Sequence, residues 1–492
     1  MLNALIIGAY LFFLTFILLY SLAQLNLTFL YLKAKKQINS NPLPFNKWPL
    51  VTIQLPVYNE KYVVERLLNS IAKIDYDKTL LQIQVLDDSE DETVEIIANK
   101  VNELKRQGFN ITQVIRPHRV DFKAGALQYG MGSATGEFIA IFDADFVPKP
   151  NFLKSTLPYF KNEKIGVVQT RWGHLNQGYS ILTRLQSYVL NAHFTVDQTG
   201  RNFGNHFINF NGTAGVWRKQ TIIQSGGWQG DTLTEDLDLS YRAQLKGWKF
   251  KYLENQVSPA ELPAEMNALR SQQFRWAKGA AECTRKNLFK VLKAPTVNLK
   301  TKLNAVFHLL NSFNWVCLMA SSFLLLPFSF IINAQPQLAP FLSFMVIYHV
   351  SFVALFFYYL MSNKFISFSK PKDYWQFIIS YPVFIGLMMG LSIYNAVGVI
   401  EGYLGIKSSF VRTPKFNITN TKKSLKGFNY VKFKFNFITI LELLSIAYFM
   451  VVSKYLFDFG YYNGLSFSVL MCLGLSAVFW YSISHSLKSK GS

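Results

Sequence analysis

The stretch EFIAIFDAD, residues 137–145, joins a short apolar run to two carboxylates, and it decides the class of fold. Similar apolar runs alternate with amphipathic stretches along the chain: VTIQL at 51–55, LQIQVL at 81–86 and IGVVQT at 165–170. This alternation is typical of a parallel sheet covered by helices. The runs end in Asn59–Glu60, Asp87–Asp88 and Asp143, at the edge where open sheets bind ligands. The pattern predicts a soluble α/β domain over residues 45–295.

The composition indicates that the chain is only partly soluble. Of its 492 residues, 50% are hydrophobic and 16% are charged, against about 25% charged residues in a soluble domain. The formal charge of +21 fits nucleic acid, an anionic membrane or phosphorylated ligands as partners. No RNA- or DNA-binding motif accompanies it. Three cysteines without a CxxC motif exclude a disulfide scaffold and a Cys-ligated zinc site: Cys283, Cys317 and Cys472.

Membrane-spanning segments are predicted on both sides of this domain. Residues 4–32 are almost wholly apolar, long enough to cross a bilayer, and lack the features of a cleaved signal peptide. Lys33, Lys35 and Lys36 follow directly, so the positive-inside rule places the N-terminus outside and the domain in the cytosol. Four further spans return the C-terminus, with Lys488 and Lys490, to the cytosol: 304–332, 338–361, 437–458 and 465–483.

The stretch 373–406 is long enough to cross the membrane, but both of its flanks are basic. Lys364, Lys370 and Lys372 precede it, and the loop from Gly402 to Leu441 contains eight Lys or Arg residues and no acid. Both flanks therefore belong on the cytosolic side, which predicts an interfacial or re-entrant segment.

Two pairs of carboxylates follow predicted strands. Asp143 and Asp145 can share one divalent cation, because Mg²⁺ and Mn²⁺ prefer oxygen ligands and often bridge carboxylates to phosphates. A plain turn after a strand is the alternative. Asp87 and Asp88 can accept hydrogen bonds from a nucleobase or a ribose, or they cap a helix that starts near Glu92.

Two further groups lie on predicted helices. Glu235 and Asp236 fall in the first turn of an amphipathic helix, where they either complement the helix dipole or supply a general base. In QQFRW, residues 272–276, Arg275 can pair with a diphosphate and Trp276 can stack on a sugar. Helices at a membrane surface are also rich in these residue types, which is the alternative.

The order of the four groups resembles the membrane-integrated, processive branch of the family 2 glycosyltransferases, whose signature is D, D-x-D, [T/E]-E-D and Q-x-x-R-W. The matching residues are Asp88, Asp143 and Asp145, Glu235 and Asp236, and Gln272, Arg275 and Trp276. Over about residues 50–290 the chain is similar to plant cellulose synthase-like A and C proteins, which are glucomannan or mannan synthases and xyloglucan-backbone glucan synthases. The similar segments are LPVYNE (55–60), QVLDDSED (84–91), KAGAL (123–127), FDADFVP (142–148), QTRW (169–172), FNGTAGVWR (210–218), GGW (226–228) and QLKGWKF (244–250).

The resemblance implies a GT-A fold, an α/β domain with a Rossmann-like mixed sheet, joined to an α-helical transmembrane region. The expected parts are an N-terminal transmembrane helix (1–36), the cytosolic GT-A domain (37–263), interfacial helices with the Q-x-x-R-W motif (264–303), two transmembrane helices (304–361), an interfacial or re-entrant segment with a basic loop (362–436), and two transmembrane helices with a short tail (437–492).

The resemblance also implies roles for individual residues. Asp236 is the expected base of an inverting transfer, Glu235 and Asp88 join it in the catalytic set, and Asp143 and Asp145 hold Mg²⁺ or Mn²⁺. The expected nucleotide-sugar site comprises Asp87, Asp88, Lys123, Asp143, Asp145, Gln272, Arg275, Trp276, Thr413 and Lys415. The expected acceptor site comprises Trp276, Asn211, Gly212 and Thr213.

The basic loop carries the frame F-x-x-T-x-K at Phe410, Thr413 and Lys415, which is similar to the gating loop that closes over the nucleotide in cellulose synthases. Arg412 stands where that loop usually has valine, and Pro414 adds a constraint. The side chains of this segment can donate to phosphate oxygens. Alternatively, the loop is basic only because it lies on the cytosolic side.

Polar residues outside the motifs have two interpretations. Three histidines of the domain lack ligand spacing and are predicted to be structural or to line the acceptor path: His174, His193 and His206. In the first span after the domain, His308, Asn311 and Asn314 together with Trp315 either line a channel for a sugar chain or form hydrogen bonds between helices.

The expected activity is that of an inverting, nucleotide-sugar-dependent β-glycosyltransferase that elongates a β-mannan, glucomannan or β-glucan chain and passes it across the membrane. One alternative is a single-addition transferase with a lipid acceptor, similar to ceramide glucosyltransferases, and the other is a basic membrane scaffold without activity. The expected partners are GDP-mannose or UDP-glucose, the growing glycan, the bilayer, and an accessory subunit for export or regulation, but no nucleic acid. The compact chain favours a bacterial inner membrane over a Golgi membrane.

Overall fold

An α/β domain lies between an N-terminal helix and a group of C-terminal helices in the computed structural model, which describes residues 1–37, 42–338, 345–408, 411–418 and 435–488. Helix α1 (Leu2–Lys35) leads into the domain. The strands are β1 (Val51–Val57), β2 (Leu81–Asp87), β3 (Asn110–Val114), β4 (Phe138–Ile141), β5 (Ile165–His174), β6 (Gly215–Arg218) and β7 (Lys249–Ala260). The helices of the domain are α2 (Val64–Ile71), α3 (Thr93–Arg106), α4 (Phe122–Met131), α5 (Phe152–Thr156), α6 (Ile181–Ala192), α7 (Gln198–Phe203), α8 (Lys219–Gln224) and α9 (Glu235–Leu245).

The strands form one mixed sheet in the order β3-β2-β1-β4-β6-β5-β7. Strand β6 runs antiparallel to β4 and β5, and the other neighbouring pairs are parallel. The four apolar runs become strands because both faces of the sheet are covered: in β1, Val51, Ile53 and Leu55 on one face and Thr52 and Gln54 on the other are fully buried. The parallel pairing of β1 with β2 and β4 brings their carboxyl ends, and so the residues that follow them, to one edge of the sheet.

Eight helices follow the domain within the described residues: α10 (Met266–Lys293), α11 (Leu299–Leu309), α12 (Phe313–Ala334), α13 (Val350–Lys364), α14 (Pro371–Gly390), α15 (Ser392–Leu404), α16 (Phe437–Asp458) and α17 (Tyr462–Lys488). Helix α15 packs closely on α10, where a Cβ added to Gly402 would lie 2.6 Å from the Lys278 carbonyl oxygen. The fully buried ammonium of Lys278 pairs with Glu401 at 2.7 Å. This contact ties the helix that carries QQFRW to the helix that precedes the basic loop.

Five helical segments in the described part of the chain are long and apolar enough to cross a membrane, as predicted: Leu2–Lys35, Leu299–Ala334, Met345–Lys364, Phe437–Asp458 and Tyr462–His485. Large apolar side chains such as Phe12, Leu444 and Trp480 are exposed on them, as on a surface that faces lipid. Helices α14 and α15 meet at a bend of 43°, a geometry shared by re-entrant segments and broken spans. The prediction that 373–406 is interfacial or re-entrant therefore stays a prediction.

Candidate active site

Asp143 and Asp145 lie in the turn after β4, each beside a lysine from a distant part of the chain. Lys123 of α4 contacts the Asp143 carboxylate, and Lys415 donates to Asp145 Oδ2 at 2.8 Å. The turn is held from the opposite side, since the Asp143 amide donates to Thr213 Oγ1 at 2.8 Å. Burial raises the pKa of Asp143. The end of β4 thus presents two negative and two positive charges in close contact.

The loop that is predicted to line the acceptor path, residues 210–215 and here named the acceptor loop, reaches the same lysine. Lys123 Nζ donates to the Gly212 carbonyl at 3.0 Å. Gly212 has a φ of +75°, and a Cβ at this position would lie 3.2 Å from Asp236 Oδ2. Both the positive φ and the close approach favour glycine here. The Lys123 ammonium and the Asp236 carboxylate therefore both lie next to Gly212.

Asp236 lies in the first turn of α9, as the helical spacing predicted. Its Oδ1 accepts from the Leu237 amide at 2.8 Å. Burial, together with the neighbouring Glu235 carboxylate, raises the pKa of Asp236 to about 7. Burial raises the pKa of Glu235 as well. A carboxyl group that titrates near neutral pH is well suited to accept a proton at the pH of the cell.

The carboxylates after β2 do not cap α3, so the capping alternative is wrong. Helix α3 begins at Thr93, and the Thr93 amide donates to Asp91 Oδ1 at 3.0 Å. Asp87 accepts instead from Gln113 Nε2 at 2.8 Å. The two oxygens of Asp88 each accept from Arg116, and both distances are 2.7 Å.

Two arginines that sequence reasoning missed surround Asp88. Besides the bidentate pair with Arg116, Arg119 lies 3.9 Å from Asp88 Oδ2. The Arg119 guanidinium also lies 3.4 Å from the centre of the Tyr58 ring, directly after β1. A nucleoside bound at this edge would therefore meet arginine donors as well as carboxylate oxygens. The sequence pattern that could have pointed to them is the pair Arg116 and Arg119 shortly before the segment KAGAL, residues 123–127.

Residues 411–418 form a basic segment that crosses the strand-end edge of the sheet. Thr413 Oγ1 accepts from Arg275 Nη2 at 2.8 Å. Arg412, the residue that replaces valine, pairs with both carboxylate oxygens of Glu60 at 2.9 and 3.1 Å. The segment thus connects the QQFRW helix with the end of β1. Phe410, the first residue of the F-x-x-T-x-K frame, lies outside the described residues.

Glu261, directly after β7, contacts both the basic segment and the D-x-D turn. Its carbonyl accepts from Lys415 Nζ at 2.7 Å, and its Oε1 accepts from the Phe416 amide at 2.9 Å. Its own amide donates to Asp145 Oδ2 at 3.2 Å. Arg66 of α2 lies 3.6 Å from the second carboxylate oxygen. Sequence reasoning assigned no role to Glu261, because its partners are far away along the chain.

Gln272, Arg275 and Trp276 share one face of α10, as their spacing of three and four residues requires. All three are half-buried. Arg275 joins the site through Thr413, and burial lowers its pKa to about 10, so it stays charged at neutral pH. The roles of Gln272 and Trp276 stay predictions.

The histidines of the domain contact other polar side chains. His193 Nε2 bonds to Asn211 Oδ1 at 2.7 Å, so this histidine supports the acceptor loop. His174 bonds to a buried asparagine at 3.0 Å, and burial lowers its pKa to about 4, which keeps it neutral. His206 bonds to Thr301 at 3.2 Å. These contacts agree with the predicted structural roles, and an acceptor-lining role stays a prediction.

The polar residues of the first span after the domain bond to neighbouring elements. His308 Nδ1 bonds to the Tyr241 hydroxyl at 2.8 Å. The Tyr20 hydroxyl of α1 donates to Asn311 Oδ1 at 2.9 Å, and Asn314 Nδ2 donates to the Asn311 carbonyl at 3.0 Å. The interhelical alternative accounts for His308 and Asn311, whereas Asn314 bonds within its own segment, and a channel lined by these side chains stays a prediction.

Asp143 and Asp145 offer the hard oxygen ligands that Mg²⁺ and Mn²⁺ favour. The described part of the chain holds no group of three or more His, Cys, Asp or Glu side chains placed to bind a metal ion. Two carboxylates suit an ion that completes its coordination with diphosphate oxygens and water, as Mg²⁺ commonly does. The residues present therefore fit a divalent ion that binds together with a nucleotide.

The mixed sheet, the D-x-D turn, the nearby Asp236 carboxylate and the basic side chains around them are together typical of the catalytic domain of a GT-A glycosyltransferase. The family model described as "Glycosyltransferase like family 2" matches residues 49–279. This part of the chain is a glycosyltransferase domain of family 2, as its motifs predicted.

Comparisons with known proteins agree with this assignment. Glucomannan 4-beta-mannosyltransferase 7 of Arabidopsis thaliana is 42% identical over 260 residues, which are 52% of this chain and 47% of the relative. Glucomannan 4-beta-mannosyltransferase 1 of Oryza sativa subsp. japonica is 40% identical over 266 residues, 53% of this chain and 51% of the relative. The chain spans about half the length of the curated relatives that it matches.

A solved structure shows the same fold. The mannosyltransferase PcManGT from Pyrobaculum calidifontis, in complex with GDP-Man and Mn²⁺, aligns with a TM-score of 0.50 at 18% identity. The match covers 75% of this chain and 100% of that one. The expected GT-A fold is confirmed.

Proposed function

We propose that this protein is a membrane-bound, inverting β-mannosyltransferase that uses GDP-mannose to elongate a β-mannan or glucomannan chain. The relatives at about 40% identity carry the name glucomannan 4-beta-mannosyltransferase, which favours mannose over glucose as the sugar transferred. The observation that carries the proposal is the convergence of the D-x-D turn, Lys123, Gly212 and Asp236 at one edge of the sheet.

In the proposed reaction, Asp236 accepts the proton of an acceptor hydroxyl as that oxygen attacks the anomeric carbon of the donor sugar. The bond to the nucleoside diphosphate breaks in the same displacement, which inverts the configuration. Lys123, Lys415 and Arg275 lie where their charges can neutralise the departing diphosphate. When held by the D-x-D carboxylates, a divalent ion, Mn²⁺ or Mg²⁺, supplies further positive charge for the leaving group.

The remaining predicted residues have roles on either side of this centre. Asp87 and Asp88, with Arg116 and Arg119, contact the nucleoside. On the acceptor side, Trp276 provides a stacking face for a sugar, and the acceptor loop offers its backbone beside Asp236. Asn211, Gly212 and Thr213 belong to that loop, and Thr213 fixes the D-x-D turn. Glu235 acts through its effect on the pKa of Asp236.

The catalytic domain is proposed to face the cytosol. Support comes from the lysines that follow α1 and from the basic loop after α15. The curated relatives come from plants, so they give no support to the bacterial membrane that the compact chain favours.

The test is incubation of the purified full chain with radiolabelled GDP-mannose or UDP-glucose, with Mn²⁺ or Mg²⁺ and with EDTA. We expect polymer from GDP-mannose, lost with EDTA and lost in Asp236→Asn. Asp231→Asn, a change of the exposed acid on the loop before α9, is the matched control and should keep activity. Product from UDP-glucose alone, or wild-type turnover in Asp236→Asn, would overturn the proposal.

Product size separates the proposed synthase from a single-addition enzyme. A polymer that β-1,4-mannanase degrades is the expected product. A single labelled sugar that extracts with lipid would instead indicate the lipid-acceptor alternative.

A further inference from the structure

Lys415 already pairs with one of the two carboxylates that are expected to hold the divalent ion. The Lys415 ammonium lies 2.8 Å from Asp145 Oδ2, and Asp145 is one of the two carboxylates suited to the metal. Asp145 is buried, with 7% of its surface exposed. Because water screens little at such a site, an ammonium and a divalent cation on one carboxylate oxygen repel each other strongly. The ammonium and the divalent ion therefore compete for the Asp145 carboxylate.

Contacts of the neighbouring residues Phe416 and Asn417 also help to hold Lys415 in place. Glu261 accepts from Lys415 Nζ through its carbonyl and from the Phe416 amide through Oε1, at 2.7 and 2.9 Å. Glu261 is itself buried, at 3% exposure. Arg66 braces the same arrangement, since it donates to Asn417 Oδ1 at 2.6 Å and to the Asp145 carbonyl at 3.1 Å.

We propose that Glu261 is a positioning residue for Lys415, and that Lys415 and the divalent ion alternate on Asp145. When the ion binds together with the nucleoside diphosphate, the Lys415 ammonium moves from the carboxylate to a phosphate oxygen, while Glu261 keeps the backbone of the segment in place. Lys415 thus opposes the metal when no nucleotide is bound and supports it when one is. This inference rests on the proposed function, because it requires a metal and a nucleotide at this edge.

The proposal predicts opposite effects of one substitution under two conditions. In Lys415→Met, the competing ammonium is gone, so Mn²⁺ alone should bind more tightly, by about threefold or more. With saturating GDP, the same variant lacks a phosphate contact, so Mn²⁺ should bind more weakly than in the wild type. Lys415→Gln should behave in the same way and serves as a second variant.

Glu261 is tested by a matched pair. Glu261→Ala removes the acceptor for the Phe416 amide, so it should tighten binding of Mn²⁺ alone and weaken binding of Mn²⁺ with GDP. Glu261→Gln keeps an oxygen at Oε1 and should restore both affinities towards the wild type. Lys407→Met, a change of the exposed lysine just after α15, controls for the loss of one positive charge.

The measurement is a titration of the full chain with Mn²⁺, with free Mn²⁺ followed by electron paramagnetic resonance, with and without GDP, next to a thermal unfolding scan. If Lys415→Met changed the affinity for Mn²⁺ in the same direction with and without GDP, or left it unchanged without GDP, the proposed alternation would be wrong. Equal behaviour of Glu261→Ala and the wild type would overturn the positioning role. Absence of Mn²⁺ binding to the wild type, even with GDP, would overturn the proposed function together with this inference.

Discussion

At the scale of single residues, the site depends on carboxylates that the fold keeps partly out of water. Asp143, Asp145 and Asp236 were identifiable because each stands in a local pattern, directly after a strand or in the first turn of a helix. Glu60 and Glu261 were not assigned roles, because their partners in the basic segment lie 352 and 155 positions away along the chain. The altered pKa of Asp236 likewise comes from burial, which no local pattern describes.

The pH dependence of activity is the first prediction at this scale. Because the base must be deprotonated and its pKa is about 7, kcat/KM should rise with pH and level off above about 7. Glu235→Gln removes a neighbouring negative charge, which lowers the pKa of Asp236, so the acid limb should move to lower pH. Initial rates with GDP-mannose from pH 5 to pH 9 measure both profiles. If the acid limb of the pH profile did not move in Glu235→Gln, the assigned effect of Glu235 on the pKa of Asp236 would be wrong.

The thermal stability of the domain should also depend on the ionisation of Asp236. The pKa of Asp236 is raised on folding, from about 4 in the unfolded chain, so the folded state loses stability as pH rises from about 4 to about 7, and the loss stays constant above that range. Asp236→Asn should therefore raise the melting temperature at pH 8 and change it little near pH 4. Thermal unfolding at the two pH values checks this, and an equal gain at both would rule out titration as the cause.

At the scale of elements, the contact between α10 and α15 sets the position of the basic segment. Helix α10 carries Arg275, and the basic segment follows the end of α15 by only a few residues. The buried ion pair of Lys278 with Glu401 fixes the register between the two helices. Sequence reasoning assigned α10 to an interfacial helix and 373–406 to an interfacial or re-entrant segment, but not their mutual packing.

Substitution of Gly402 should disturb the site from a distance. A Cβ there would lie 2.6 Å from the Lys278 carbonyl and 2.8 Å from Ala281 Cβ, so Gly402→Ala should force the helices apart. We expect at least tenfold lower turnover and a lower melting temperature, because Arg275 and Thr413 would separate. Gly8→Ala is the matched control, since a Cβ at Gly8 in α1 meets nothing within 4 Å. Wild-type turnover in Gly402→Ala would show that this packing does not position the segment.

At the scale of the whole molecule, the described residues contain five helical segments that are long and apolar enough to cross a membrane, one bent pair of helices, and an α/β domain that matches the family 2 model. The number and approximate limits of the crossing helices followed from apolar length, since a bilayer demands about 20 apolar residues wherever it is crossed. The orientation followed from the lysines beside them and stays a prediction.

Cysteine labelling tests that orientation. In a chain with the native cysteines replaced by serine, Asn463→Cys, in the exposed first turn of α17, should react with an impermeant maleimide in intact cells. Arg106→Cys, on the exposed end of α3, should react only after permeabilisation. The reverse pattern would place the catalytic domain outside and contradict the use of a cytosolic nucleotide-sugar.

By itself, the sequence determined the class of the domain, the strands β1, β2, β4 and β5, the membrane helices and the acidic and aromatic motifs. Each of these depends on interactions within a few residues or on apolar length, so a local pattern reveals it. The antiparallel strand β6, the pairs of Arg412 with Glu60 and Lys415 with Asp145, and the shared contact of Gly212 with Lys123 and Asp236 were decided only by the tertiary structure. They join segments distant in the chain, and such contacts form only when the packing of the sheet and helices brings those segments together.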